Sequence, residues 1–408
     1  MDIWLINHYA VPPKYYPLAR QTCFARYLMA MGHTVTIFAA STVHNSNMNL
    51  ITDGAPWRDE VVDGVHYVYI RCMDYQGNGL KRIYNICEFA WKLPGVCRKF
   101  PRPDAIVATS MPPTSCAMGI HLARKYGCRG VAEIADLWPE SIVAYGIAGP
   151  RNPAELALRR LEKWIYEKAD DVVFTCEGGY DYIVEQGWEG RIPRAKIHYI
   201  NNGVDLAVFD ENRARYTVQD PDLEDPSVFK VVYTGSIRKV NHLGLLLDAA
   251  KEVTDPRVKF LIWGDGDQRA ALEQRVREEE ISNVVFKGKV EKKYIPSIVS
   301  RADINLIHGG DQGKELFRFG ISPNKMFDCF AAGRPILMDL PAKYNPVEQF
   351  QAGICLSSVS EIPAAIRQIQ VLSPQAYESL CGNARKAAAR FDFRVLTQEL
   401  MEILEKRG

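Results

Sequence analysis

Chemistry is legible first in the run Phe319-Gly320-Ile321-Ser322-Pro323-Asn324-Lys325-Met326-Phe327-Asp328, which Ala331-Ala332-Gly333-Arg334-Pro335 closes. The order predicts a loop that turns into a helix and stops at a glycine. Ser322 suits the N-cap and Pro323 the first helical position, where a missing N–H costs nothing. Gly333 and Pro335 mark the far end. A helix start offers unpaired N–H groups and a partial positive charge, a natural seat for phosphate. Lys325 runs against the usual preference for acids in a first turn and makes sense beside an anion. Asp328, one turn on, can accept hydrogen bonds from sugar hydroxyls. The same residues also describe an ordinary capped surface helix, so the reading needs support from elsewhere in the chain.

Two carboxylate groupings have a second claim. Asp136 follows an apolar run ending at Ala135, with Trp138, Pro139 and Glu140 just beyond. A carboxylate at the end of a strand can align or deprotonate an acceptor hydroxyl; Glu133, inside the run, reads as a satisfied polar residue. Asp265-Gly266-Asp267 is literally an Asp-x-Asp, a pattern used for metals. Here it follows an apolar run ending at Trp263 and opens a helix, where aspartates serve turns and caps. No metal is expected.

Elements positioned to hold these groups alternate regularly. Strands are predicted at 3–7, 34–39, 65–70, 105–109, 130–135, 172–175 and 197–200, with helices at 20–31, 114–126, 153–168 and 179–186. The acidic, proline-bearing stretch 210–227 reads as an exposed connection. Alternation then restarts, with strands at 230–234, 259–263, 284–287, 304–307, 335–338 and 353–356 and closing helices near 374–390 and 394–406. One helix between successive strands implies right-handed crossovers and parallel sheets covered on both faces. The expected class is α/β, two doubly wound sheets with ligands at the carboxyl ends of their strands.

Length and composition agree. The chain's 408 residues suit two domains, each large enough for its own core. With 47% apolar and 24% charged residues and a net charge of +1, the profile is that of a soluble globule without a field for nucleic acid. Ten cysteines include no Cys-x-x-Cys, which points to a reducing cytosol rather than a disulfide scaffold or zinc site. The opening residues lack the basic start of a signal peptide, and no apolar window is long enough to span a bilayer. Between Leu80 and Arg102, six basic residues face Glu88 alone, interleaved with Ile83, Tyr84, Phe89, Trp91 and Phe100. That mixture suits an anionic membrane surface; a surface helix with one buried stripe explains it equally.

The run at 319–335 resembles the donor-site helix of retaining, family-4-type glycosyltransferases, whose pattern is Glu, seven residues, Glu-Ala-x-Ala-x-Gly-x-Pro. Gly32-His33-Thr34-Val35-Thr36-Ile37, Asn202-Gly203-Val204-Asp205, Gly264-Asp265-Gly266 and Arg301-Ala302-Asp303 are similar to further signatures of that family. Asp136-Leu137-Trp138-Pro139-Glu140-Ser141 resembles a segment of its subgroup building bacterial surface polysaccharides (O-antigen and capsule).

The resemblance implies a GT-B architecture. Residues 1–205 would be a Rossmann-like acceptor domain, 206–388 a Rossmann-like donor domain, and 389–408 a helix returning to the first. It implies that Ser322, Pro323, Asn324 and Lys325 hold the donor diphosphate with Arg238 and Lys239; Arg238's planar fork can take two oxygens. Asp328 would bind ribose hydroxyls, and Gly288, Lys289 and Val290 the base. Asp136, Glu140 and Arg238 would be catalytic. Tyr15, Tyr16 and Arg20, in the loop after the first strand, would meet the acceptor, and Arg318 or Glu315 the sugar.

This chain also departs from the family. The first glutamate falls on Gly320, the histidine before the aspartate on Ala135, and the downstream lysine on Asn241. Implied partners are a nucleotide sugar, UDP-linked, as co-substrate with no resident cofactor, and a glycan or polyprenyl-diphosphate-linked acceptor. The implied reaction is metal-independent hexosyl or N-acetylhexosaminyl transfer in the cytoplasm, at the inner face of the plasma membrane. A GT-B sugar-nucleotide epimerase and a non-catalytic nucleotide-sugar-binding subunit remain as alternatives. An NAD dehydrogenase does not, since neither half opens with Gly-x-Gly-x-x-Gly after its first strand.

Overall fold

The computed structural model describes residues 1–15, 20–44, 46–77, 79–144, 152–309 and 314–406. Contacts divide the chain into two compact units, Met1–Asn201 with Leu396–Gly408, and Asn202–Val395.

In the first unit β1 (Asp2–Ile6), β2 (Thr34–Ala40), β3 (Trp57–Val62), β4 (Val65–Ile70), β5 (Ala105–Thr109), β6 (Arg129–Ile134), β7 (Asp171–Phe174) and β8 (Ile197–Tyr199) form one sheet. Its order is β3-β4-β2-β1-β5-β6-β7-β8. Parallel strands covered on both faces need apolar residues at every position, and Ile3, Trp4, Leu5 and Ile6 are all buried. β1 pairs with both β2 and β5, the point where the order reverses and ligand crevices open. The loops starting at Asn7, Ser110 and Ala135 leave the carboxyl ends of β1, β5 and β6.

β3 is an addition to the predicted order and runs antiparallel to β4. Asp63 and Gly64 make the turn with φ of 51° and 81°, the positive values a two-residue hairpin requires. Arg58 and Asp59 are exposed on this edge strand, where charge discourages further pairing.

The helix Phe393–Leu404 starts in the second unit and belongs to the first from Leu396 onward. Leu396, Leu400, Met401, Ile403 and Leu404 are buried, and the Lys406 carbonyl accepts from Arg129.

The second sheet comprises β9 (Phe229–Thr234), β10 (Val258–Trp263), β11 (Val284–Gly288), β12 (Ile304–Ile307), β13 (Ile336–Met338) and β14 (Gly353–Cys355). All are parallel in the order β11-β10-β9-β12-β13-β14, so β9 and β12 flank the reversal. Tyr233, Phe260, Ile262, Leu246 and Leu306 anchor its core.

The stretch 210–227 is not the exposed connection expected. A helix runs Leu206–Arg215 and a short one Pro221–Glu224. Asp220 and Asp222 pair with Lys287, and Asp222 also with Lys259. Half-buried lysines on β10 and β11 need anions, and the acidic run supplies them.

Candidate functional site

In the second unit, the helix at the centre of the sequence argument spans Asn324–Ala332 and ends at Gly333 with φ 62°. Its N-cap is Pro323, with no side-chain cap, one residue later than expected of Ser322. The serine is engaged elsewhere. Asn202 donates its peptide N–H to Ser322 Oγ at 3.1 Å and its side-chain amide to the Ser322 carbonyl at 2.9 Å. The Asn-Gly-Val-Asp motif thereby straps the loop ahead of the helix. The opening amides of a helix have no intrahelical acceptor, and Asn324 is exposed beside them.

Lys325 Nζ donates to Tyr233 Oη at 3.1 Å and sits 4.3 Å from the ring centre. Tyr233 in turn donates to the Ser236 carbonyl at 3.0 Å. One tyrosine thus joins the helix start to the Gly235 loop after β9. That loop is held from behind by backbone: Trp263 O accepts from Gly235 N–H, and Asp265 O from Ile237 N–H. A Cβ at Gly264 would lie 1.8 Å from the Gly235 carbonyl oxygen, so only glycine permits the approach. Asp265 Oδ1 accepts from Gly266 N–H, a turn role. Asn241, where the family has lysine, accepts from Ser236 Oγ at 2.9 Å and from Arg238 N–H at 3.4 Å. It braces the loop, while Arg238 and Lys239 are exposed.

Asp328 lies one turn along the helix, buried, with Oδ2 against Lys292 Nζ. Lys292 lies two residues beyond the segment Gly288, Lys289 and Val290. Gly288 has φ 83° and accepts Gly264 N–H at 2.9 Å, while Lys289 is exposed. Arg318 bonds the Glu315 carbonyl and lies 4.4 Å over Phe319, inside its own turn. Gly320 has φ 101°, a conformation a glutamate adopts only with strain. The missing family glutamate thus coincides with a backbone built for glycine.

Sequence reasoning passed over His308 and Asp339, at the carboxyl ends of β12 and β13. Both are buried. His308 Nδ1 meets Asp339 Oδ2, and Nε2 lies 3.1 Å from the His242 carbonyl oxygen. Both ring nitrogens are therefore engaged, one by a carboxyl and one by a peptide carbonyl. Asp339 Oδ1 also accepts from Gly309 N–H at 3.1 Å. Their position beside the sheet reversal was the available signal.

In the first unit, Asp136 follows β6 and is exposed. Desolvation raises its carboxyl above the ordinary range. Desolvation, with a smaller contribution from Asp136, pushes the half-buried Cys176 thiol up to about 12. Glu140 is bound by Arg159 at 3.0 Å, so its carboxylate joins a buried network rather than standing open. Arg20 likewise differs from its expected acceptor role. Nε donates to Glu133 at 2.9 Å, Nη1 to the Asn201 carbonyl at 2.6 Å and Nη2 to the Ile200 carbonyl at 2.9 Å. Gln21 and Thr109 complete the shell of Glu133. Tyr15 stacks under Lys14 at 4.7 Å; Tyr16 lies outside the described residues. Among the described residues no helix is long and apolar enough to cross a membrane.

Comparison with known proteins gives concordant matches. Residues 21–203 match a family described as Glycosyl transferase 4-like domain, and residues 228–369 one described as Glycosyl transferases group 1. The colanic acid biosynthesis glycosyl transferase WcaI of Escherichia coli (strain K12) is 24% identical over 369 residues, covering 85% of this chain and 86% of its own. The teichuronic acid biosynthesis glycosyltransferase TuaH of Bacillus subtilis (strain 168) is 24% identical over 218 residues, 51% of this chain and 49% of its own. Among solved structures, sucrose-phosphate synthase from Thermosynechococcus elongatus superposes with TM-score 0.70 at 18% identity over 98% of both chains. Anabaena HepE, crystallised with UDP and glucose, gives 0.67 at 14% identity over 100% of both. These likenesses show a shared GT-B fold.

Proposed function

We propose, for a chain that belongs to the family-4-type glycosyltransferases, that it transfers one sugar with retention from a UDP-linked donor to a glycan or polyprenyl-diphosphate-linked glycan. Its setting would be bacterial surface polysaccharide synthesis at the cytoplasmic face of the membrane. The observation that carries the reading is the niche around Lys325. An ammonium, the free amides of a helix start and the Gly235 loop meet at the carboxyl edge of one parallel sheet. Such a niche suits a diphosphate, and Arg238 and Lys239 are free to close on it.

The chemistry needs no resident cofactor and no metal. The sugar's anomeric bond to the diphosphate breaks and a bond to the acceptor oxygen forms on the same face. The acceptor proton passes to the leaving phosphate, whose growing charge Lys325 and Arg238 stabilise. Asp136 orients the acceptor hydroxyl. Asp328, with Lys292 holding one oxygen, offers the other to the ribose, and the segment 288–290 lines the base. HepE with UDP and glucose supports the donor class, and the relatives acting in colanic and teichuronic acid synthesis support the product class.

The test is direct. UDP should raise the melting temperature by mass action, and Lys325→Ala should abolish that shift without lowering the melting point of the free protein. UDP protection that survives the substitution unchanged would sink the assignment of the niche.

A further inference from the structure

The helix Leu80–Cys97 carries two apolar stripes, one too many for a surface helix packed on a single core. Asn85, Phe89, Leu93 and Val96 face inward and are buried. Leu80, Tyr84, Cys87 and Trp91 recur at spacings of four, three and four on the opposite side, about 180° away by helical geometry. They stand in solvent: Leu80 is 84% exposed, Trp91 78% and Tyr84 57%, with Ile83 beside them at 56%. Cys87 is exposed too.

Charge around this stripe is one-sided. Lys81, Arg98, Lys99 and Arg102 are exposed, even where Lys99 leans over Trp57 and Arg102 over Tyr126. The segment's single acid, Glu88, is spent on Lys92 and on the Met73 N–H. The whole chain is nearly neutral at +1, yet residues 80–102 carry six cations against that one anion.

The inward face of the same helix holds the loop after β1. Arg82 donates to Tyr9 Oη at 2.9 Å. His8 Nε2 bonds Asn85 Oδ1 at 2.7 Å, and Asn85 also donates to Thr42 and the Met73 carbonyl.

We propose that the outer stripe of this helix docks flat on an anionic lipid surface, with Trp91, Tyr84 and Leu80 in the headgroup boundary and Lys81, Arg98, Lys99 and Arg102 on lipid phosphates. Amphipathic aromatics over apolar residues, rimmed by cations, match that boundary, whereas a protein partner or a second copy would have to supply anions. The inner contacts to His8 and Tyr9 then seat the loop expected to meet the acceptor directly behind the docked helix, near where a lipid-linked glycan is presented. This rests on the proposed acceptor class for its purpose, but not for its test.

The full chain is mixed with vesicles of phosphatidylcholine alone or with phosphatidylglycerol, with no sugar donor present. It should float with the phosphatidylglycerol vesicles only, and less so as salt is added. Lys81→Gln or Arg98→Gln should each weaken binding about fivefold, the equivalent of about 1 kcal/mol per surface cation. Tyr84→Ser with Trp91→Ser should weaken it roughly tenfold or more. These side chains are exposed, so the variants should melt as the parent does. A water-soluble alkylating reagent gives a second reading, because Cys87 should be protected by phosphatidylglycerol vesicles and not by neutral ones. No binding, equal binding to both vesicles, or a dimer that Trp91→Ser dissociates would overturn the proposal. Any of these leaves the UDP and Lys325 test of the donor niche untouched.

Discussion

At the scale of single residues, His308 is buried and bonded at both ring nitrogens. Its ring bridges the ends of β12 and β13 to His242, which follows the Arg238 loop. It therefore ties the basic loop to the Asp339–Gly309 corner as a positioning residue. His308→Gln keeps polar atoms but cannot span both partners as the ring does, leaving the buried Asp339 carboxyl with the Gly309 peptide donor. Leaving a buried polar group short of a partner costs about 1–3 kcal/mol, and the second unit should lose comparable stability. Asp339→Asn in the same chain should recover part of it, which a double-mutant cycle reads directly. Nucleotide affinity separates the roles: a positioning residue weakens UDP binding at temperatures where the variant is still folded. If UDP binds the folded variant as tightly as the parent, His308 is a staple of the fold and nothing more. Lys325 shows the opposite case, legible because its oddity is local, a cation in a helix's first turn. His308, Asp339 and Lys292 were not, since each has a partner more than thirty residues away.

Among elements, the two helices after β6 are joined by a buried polar network. Arg159, on the helix Pro153–Lys168, binds Glu140 and Glu155 and donates to Tyr182 and Gln186. Glu162, one turn on, accepts from Tyr166 and Tyr182. Burial pushes the Glu162 carboxyl up to about 8, against the pull of both phenols and Arg159. The sign follows from linkage. An unfolded glutamate releases its proton near 4.5 while the folded one holds it to about 8, so rising pH favours the unfolded chain across that window. Stability from this group is full below about 4.5, falls between there and about 8, and is flat above. Glu162→Gln should flatten the fall of melting temperature with pH over that interval, whatever it does to the absolute value. An unchanged slope would show that Glu162 does not titrate there. Elements were legible where apolar runs were unbroken, as in β1 and β5. They were missed where tertiary pairing overrode local pattern. β3 hides its role behind exposed charges, and the helix Leu206–Arg215 buries only Phe209, too little for a periodic signal. Glu140 and Arg20 read as cleft groups because strand and loop ends place them there. Only their partners across the unit show that both are consumed.

For the whole molecule, connectivity sets a dependence that neither sheet alone reveals. The chain leaves the first unit at Asn201 and returns to it at Leu396. The returning segment contributes Leu396, Leu400, Met401, Ile403 and Leu404 to buried surface, and Lys406 meets Arg129, His198 and Asp171. Each such apolar side chain stabilises by about 1.5–3 kcal/mol when buried, and a domain's net stability is only about 5–15 kcal/mol. A chain ending at Val395 should therefore lose the first unit, while the second, which spans Asn202–Val395, keeps its core. Limited proteolysis should leave a resistant fragment starting near Asn202, and UDP should still raise that fragment's melting temperature if the niche around Lys325 belongs wholly to it. Were the shortened chain to melt as the parent does, with the first unit equally resistant, the closing helix would be an ornament of the first sheet rather than part of its core. Loss of UDP protection from an otherwise folded fragment would instead place part of the donor contact in the first unit, and Asp136 would be the first residue to substitute.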